Sequence, residues 1–159
     1  MCATKQNEFM QEAINLSIEN VKSGKGGPFG AVIVKDGKII ARGANGVTST
    51  NDPTAHAEVV AIRNACKELG TFQLDGCEIY TSCEPCPMCL GAIYWARPDK
   101  MYFANTKKDA ADINFDDHFI YEELELPYQN RKLQTEQMMR EEALEAFQLW
   151  SKSIAKIEY

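Results

Sequence analysis

Two short stretches constrain this chain more than any others: His56-Ala57-Glu58 and Pro85-Cys86-Pro87-Met88-Cys89. The chain has two histidines and six cysteines, and one of those histidines stands here with two of the cysteines. One imidazole and two thiolates make a ligand set suited to Zn²⁺. Two residues between the cysteines let both sulfurs reach one metal. The fold must then carry His56 to a turn that lies some thirty residues further along the chain. A structural zinc site is closed by four protein ligands, whereas three ligands with a fourth position open to water is the catalytic arrangement. Glu58 is not needed to complete the thiolate set, and its better role is general acid and base beside an activated water. A Cys-x-x-Cys pair alone also reads as a redox pair or as half of a structural zinc knot. Cys66, Cys77 and Cys83 are assigned to packing.

The periodicity around these stretches says how they are carried. Apolar residues at three- and four-residue steps predict helices over 7–22 and 55–69, and a third helix spans about 88–96. Short apolar runs predict strands over 30–34 and 38–43, joined by the hairpin signal Asp36-Gly37, and further strands over 77–82 and 100–104. Residues 45–54 read as a loop. His56 thus falls in the first turn of one helix and Cys86 and Cys89 at the start of another. The positive ends of two helix dipoles would favour deprotonated thiolates. Strands joined through helices favour a mixed or parallel sheet covered by helices.

The last third is different. Residues 109–125 hold seven acidic side chains and no Lys or Arg, yet also Ile113, Phe115, Phe119, Ile120 and Tyr121. Residues 127–135 look like a linker, and 136–157 read as a final helix anchored by Leu144, Phe147 and Trp150. Such an extension can fold back or cross to a partner subunit.

A chain of 159 residues fits one domain. The expectation is one domain over 1–159, with about 109–159 as its C-terminal extension. No stretch approaches the roughly 20 apolar residues of a membrane span, and Met1 to Asn20 lacks the pattern of a signal peptide. A soluble, cytoplasmic protein in a reducing compartment is therefore expected, where clustered cysteines more often hold metal. A net charge of −6 argues against a nucleic-acid partner, whose phosphates are neutralised by Lys and Arg.

His-x-Glu followed by Pro-Cys-x-x-Cys resembles the signature of zinc base deaminases. The sequence resembles the cytidine deaminase superfamily. Asn51 to Glu58 also resembles the tRNA adenosine deaminases. The run from Thr81 to Arg97, the glycine stretch Gly26 to Gly30, the segment Phe115 to Tyr121 and the terminal Glu158-Tyr159 are closer to the short bacterial guanine deaminases. The resemblance implies a three-layer α/β/α sandwich on a mixed five-stranded sheet. It also implies a Zn²⁺ cofactor and a homodimer with exchanged C-terminal segments. The reaction it implies is hydrolysis of guanine at C2 to xanthine and ammonia. His56, Cys86 and Cys89 match the metal ligands and Glu58 the proton shuttle. Asp117 matches a second proton-handling acid, and Asn45, Phe29, Ala57, Trp95 and Tyr159 match residues around the base.

A carboxylate such as Asp117 can accept from the N1–H and amine edge of guanine, and an amide such as Asn45 can both donate and accept. Plainer readings stand beside these. Asn45 is also a turn residue, Asp117 or Asp116 a helix cap, Phe29 a core residue, Trp95 a core residue of its helix, and Tyr159 a chain terminus. Rival functions are a tRNA adenosine deaminase, a deaminase of another small ring such as cytosine, isocytosine or ammeline, and a zinc-stabilised interaction module.

Overall fold

A computed structural model describes residues 4–159; Cys2 lies outside the described residues. The elements in chain order are α1 (Lys5–Lys22), β1 (Gly30–Lys35), β2 (Lys38–Ala44), α2 (Val47–Thr50), α3 (Ala57–Leu69), β3 (Cys77–Cys83), α4 (Pro87–Ala96), β4 (Lys100–Asn105), α5 (Lys107–Ala111), α6 (His118–Glu125), a 3-10 turn (Tyr128–Asn130) and α7 (Arg140–Lys152). Among the described residues, no helix is long and apolar enough to cross a membrane. Two compact units divide the chain, one through Asp117 and one from His118 to Tyr159.

In the first unit four strands lie in the order β2-β1-β3-β4. β1 runs antiparallel to both β2 and β3, while β3 and β4 are parallel and joined through α4. The hairpin turns on Asp36 and Gly37 at φ 49° and 68°, the left-handed pair that a two-residue hairpin demands. Alternation along the strands sorts side chains to two faces. Val32, Val34 and Tyr80 face Phe9, Met10 and Leu16 of α1. Ala31, Ile33 and Ile79 face Ala57, Ala61 and Ala65 of α3, and Ile93 and Ala96 of α4. Complete burial of Ile33 and Ile79 contributes roughly 1.5–3 kcal/mol each. The three-layer α/β/α arrangement follows.

The sheet has four strands rather than the expected five. After β4 the Thr106 hydroxyl accepts from the Asp109 backbone nitrogen, while the Asp109 carboxylate accepts from the Thr106 nitrogen. This capping box starts α5, so the chain leaves β4 as helix. β4 is therefore an edge strand among the described residues, with Phe103 exposed. The stretch 45–54 is also not all loop, because Val47–Thr50 makes one helical turn.

The second unit holds α6, the 3-10 turn and α7. Arg131 donates to the Leu126 carbonyl at 2.9 Å and lies over the Tyr128 ring. α7 is shorter than the expected 136–157. Met139 precedes it in the left-handed region and Ser153 ends it in extended backbone. None of its residues is buried, and Phe147, Leu149 and Trp150 are exposed.

Candidate metal centre

The site is assembled where α3 and α4 begin. His56 is the N-cap of α3 and Cys86 the N-cap of α4, and neither side chain caps its helix. Both are free to ligate. Pro87 follows Cys86 at the first helical position, where its missing N–H costs nothing, and Cys89 stands two residues further on. The turn leading to His56 is fixed locally. Asp52 accepts from the Thr54 nitrogen at 2.8 Å and from its hydroxyl at 2.7 Å. The Gly46 nitrogen donates to the Ala55 carbonyl at 2.8 Å, tying this turn to the loop that carries Asn45.

His56 Nδ1 lies 3.5 Å from Cys86 Sγ and 3.4 Å from Cys89 Sγ. A zinc ion with ordinary Zn–N and Zn–S bonds in a tetrahedron separates such atoms by about 3.6 Å. The trio therefore fits zinc. It is the one His/Cys/Asp/Glu group among the described residues whose ligand atoms converge in this way. The thiols already share charge unequally. The Cys86 thiol is held down to about 4, chiefly by the hydrogen bond from Cys89 and then by His56. The Cys89 thiol is pushed up by that same bond and by burial. His56 is raised, chiefly by its bond to Cys86.

Glu58 is 6% exposed, one position into α3 beyond Ala57. Its Oε1 accepts from the Thr81 hydroxyl at 3.2 Å, and its Oε2 lies 3.4 Å from Cys89 Sγ. Burial pushes its pKa upward from the ordinary carboxylate value.

Asn45 is buried just beyond β2. Its Oδ1 accepts from the Gly27 and Val47 nitrogens, both at 3.3 Å. Its amide is thereby oriented, with Nδ2 as the remaining donor. Asn20, which sequence reasoning missed, donates to the Gly27 and Asn45 carbonyls at 2.8 Å each and holds the two loops together. Phe29 packs against the core, and its ring meets Phe115 edge to face at 5.0 Å. Asp117 ends the same segment as Phe115. Its carboxyl is pushed up first by burial and then by the negative charge of Cys86, which places it in the electrostatic neighbourhood of the ligands. Ala57 is fully buried beneath the site. Trp95 does not join this group: it is 64% exposed, six residues beyond Cys89 on α4, which is about 9 Å along the helix. Tyr159 ends the second unit, 69% exposed.

Thr81 was also missed. The available signal was a polar residue at a core-facing position of a buried strand, two residues after Ile79, which requires a buried partner. A cavity of about 430 Å³ lined by Leu90, Tyr94, Lys100 and Met101 runs along α4 to the start of β4.

A three-layer sandwich with a His/Cys/Cys trio and a buried carboxylate beside it defines a zinc-dependent hydrolytic deaminase. Residues 3–105 match the model of the cytidine and deoxycytidylate deaminase zinc-binding region, and the chain belongs to that family. It is 58% identical over 151 residues to the guanine deaminase of Bacillus subtilis (strain 168), across 95% of this chain and 97% of that protein. The crystal structure of guanine deaminase from Bacillus subtilis superposes with a TM-score of 0.93 at 57% identity, covering 96% of this chain and 97% of that one. A tRNA-specific adenosine deaminase from Aquifex aeolicus (strain VF5) is 41% identical over 119 residues, 74% of this chain and 76% of its own.

Proposed function

We propose that the protein hydrolyses guanine to xanthine and ammonia. The observation that carries the reaction class is the buried Glu58 carboxylate beside the His56, Cys86 and Cys89 ligand atoms. The choice of guanine is supported by the near-full-length similarity to a guanine deaminase. Zinc bound by the trio supplies Lewis-acid activation of the attacking water. Glu58 accepts a proton from that water as its oxygen bonds to C2. Glu58 returns that proton to the adjacent ring nitrogen, then carries the second proton of the same oxygen to the exocyclic nitrogen, so that the C2–N bond breaks, ammonia leaves and C2 becomes the carbonyl of xanthine. Asp117, whose carboxyl burial and the Cys86 charge push upward, is assigned to the N1–H and amine edge as a second proton-handling group. Asn45 donates through Nδ2 to an acceptor on the ring, and Phe29 gives the base an apolar wall.

The protein acts as a homodimer with exchanged C-terminal segments, and Trp95 and Tyr159 are assigned to base binding. Exposed Phe147, Leu149 and Trp150 on α7 and the exposed edge of β4 support this, because apolar faces of this kind mark contact surfaces. The thiolate ligands and free cysteines fit a reducing cytoplasm. The acidic net charge disfavours a nucleic-acid substrate.

The test is ammonia release from guanine, cytosine, isocytosine, ammeline, adenosine and an RNA stem-loop. Guanine alone should react. Glu58→Gln should fold, retain zinc and lose about 100- to 10,000-fold in turnover. Activity on the RNA with none on guanine would instead assign the adenosine reading. Turnover unchanged in Glu58→Gln removes Glu58 from the chemistry.

A further inference from the structure

We propose that Thr81 is a positioning residue for the reaction, fixing which oxygen of Glu58 carries protons. This rests on the reading of Glu58 as the proton carrier. Thr81 is 1% exposed on β3 and held on both sides by the sheet, paired with Ala31 of β1 and with Phe103 of β4. Its side chain shares the face of Ile79, whose neighbours are Ala31, Ile33, Ala57 and Ala61. Valine would fill the same volume on that apolar face without a group to satisfy. The hydroxyl is there to be bonded, and its partner is Glu58 Oε1 at 3.2 Å.

The consequence is geometric. A carboxylate one position into a helix can turn about its terminal bond and present either oxygen. Tethering Oε1 to a rigid strand removes that freedom. Oε2, 3.4 Å from Cys89 Sγ, is left as the oxygen directed at the ligand trio. Thr81 itself stands behind the carboxylate, so its hydroxyl acts through Glu58. Orientation of this kind lowers a barrier without changing substrate affinity, because the carboxylate is placed before the substrate arrives.

The experiment is a mutant cycle in the zinc-loaded, full-length protein, with Thr81→Val, Thr81→Ser, Glu58→Gln and the Thr81→Val/Glu58→Gln double variant. Zinc content, unfolding midpoint, kcat and KM are measured on each, together with the Glu58 rotamer in a crystal of Thr81→Val. Thr81→Val should keep its zinc and midpoint, hold KM within about twofold and lose about 10-fold or more in kcat. Its Glu58 carboxylate should be turned. Thr81→Ser should recover most of the loss. In the Glu58→Gln background the valine should cost nothing further, which a merely structural residue would not show. Full kcat in Thr81→Val overturns the proposal, as does an undiminished loss in the Glu58→Gln background. If Thr81→Val does not fold, Thr81→Ala carries the same cycle. If the wild-type protein leaves guanine untouched, the substrate reading fails, and the cycle is read on the base it does deaminate.

Discussion

Replacing Gly43 with alanine should damage the metal centre from beneath it. Gly43 lies in β2 opposite Ala31, directly under α3. A Cβ there would run into the Ala57 carbonyl oxygen and stand 2.5 Å from the Ala61 nitrogen, where ordinary contact begins near 3.4 Å. The obstacle is helix backbone, with no side chain to swing aside, so α3 must withdraw by about 1 Å. α3 carries His56 and Glu58 at its start, whereas Cys86 and Cys89 ride on α4. The retreat therefore moves one ligand and the proton carrier away from the other two ligands. Overpacking of this kind costs about 1–3 kcal/mol, and a misplacement of about 1 Å at reacting groups costs on the order of 100-fold in rate. Activity should thus fall much further than stability. Gly70→Ala is the control: its Cβ would meet nothing within 4 Å, but φ is +65°. The left-handed strain there costs a comparable 1–2 kcal/mol, roughly, with no effect on the site. Thermal unfolding, bound zinc and ammonia release are measured on both. Gly43→Ala with wild-type zinc affinity and turnover would refute the reasoning, whatever its unfolding temperature.

Three other outcomes are expected. Asp117→Asn should keep zinc and fold while losing turnover by about 100-fold, because its raised carboxyl is removed from proton handling; unchanged kcat on guanine would exclude it. Asn45→Asp keeps the acceptor for Gly27 and Val47 but loses the Nδ2 donor, so KM for guanine should rise about 10- to 100-fold with the unfolding midpoint little changed. Stability should decline at alkaline pH: burial pushes the Cys83 thiol from 9.0 up to about 11 and raises the Tyr80 hydroxyl as well. Both groups hold their protons in the folded state after the unfolded chain has released them. Their contribution is intact below pH 9 and is lost as pH rises through the folded values. The urea midpoint should fall between about pH 9 and 11, less steeply in Cys83→Ala; a flat profile would remove Cys83 from the account.

How far the sequence could be read follows from which properties belong to a residue type and which to its neighbours. Zinc ligation requires imidazole nitrogen and thiolate sulfur, so His56, Cys86 and Cys89 stood out in the bare string, and helix periodicity put them at helix starts. The same physics exposed the hairpin at Asp36-Gly37, where left-handed φ values leave few residue choices. The fifth strand was expected from family likeness, and a local signal, the Thr106–Asp109 capping box, decided the chain's path after β4. Trp95 shows the converse limit, for an aromatic on a helix is compatible with core, pocket or surface, and packing alone placed it outward.

Asn45 shows why the site's finer logic is tertiary. Its identity as an amide was legible, but an amide offers a donor and an acceptor, and nothing in the string says which end meets a base. The Gly27 and Val47 N–H groups occupy Oδ1, and Asn20 clamps the two loops so that they stay there. Thr81 does the same to Glu58 by occupying Oε1. In both cases a symmetric or two-ended polar group acquires a single direction because donors from other segments consume one of its atoms. Chemistry is therefore written in residue type, whereas direction is imposed by partners from other elements, α1 and the glycine loop for Asn45 and β3 for Glu58. Substitutions at Asn20 and Thr81 should accordingly alter what the site selects and how fast it turns over more than whether it binds metal.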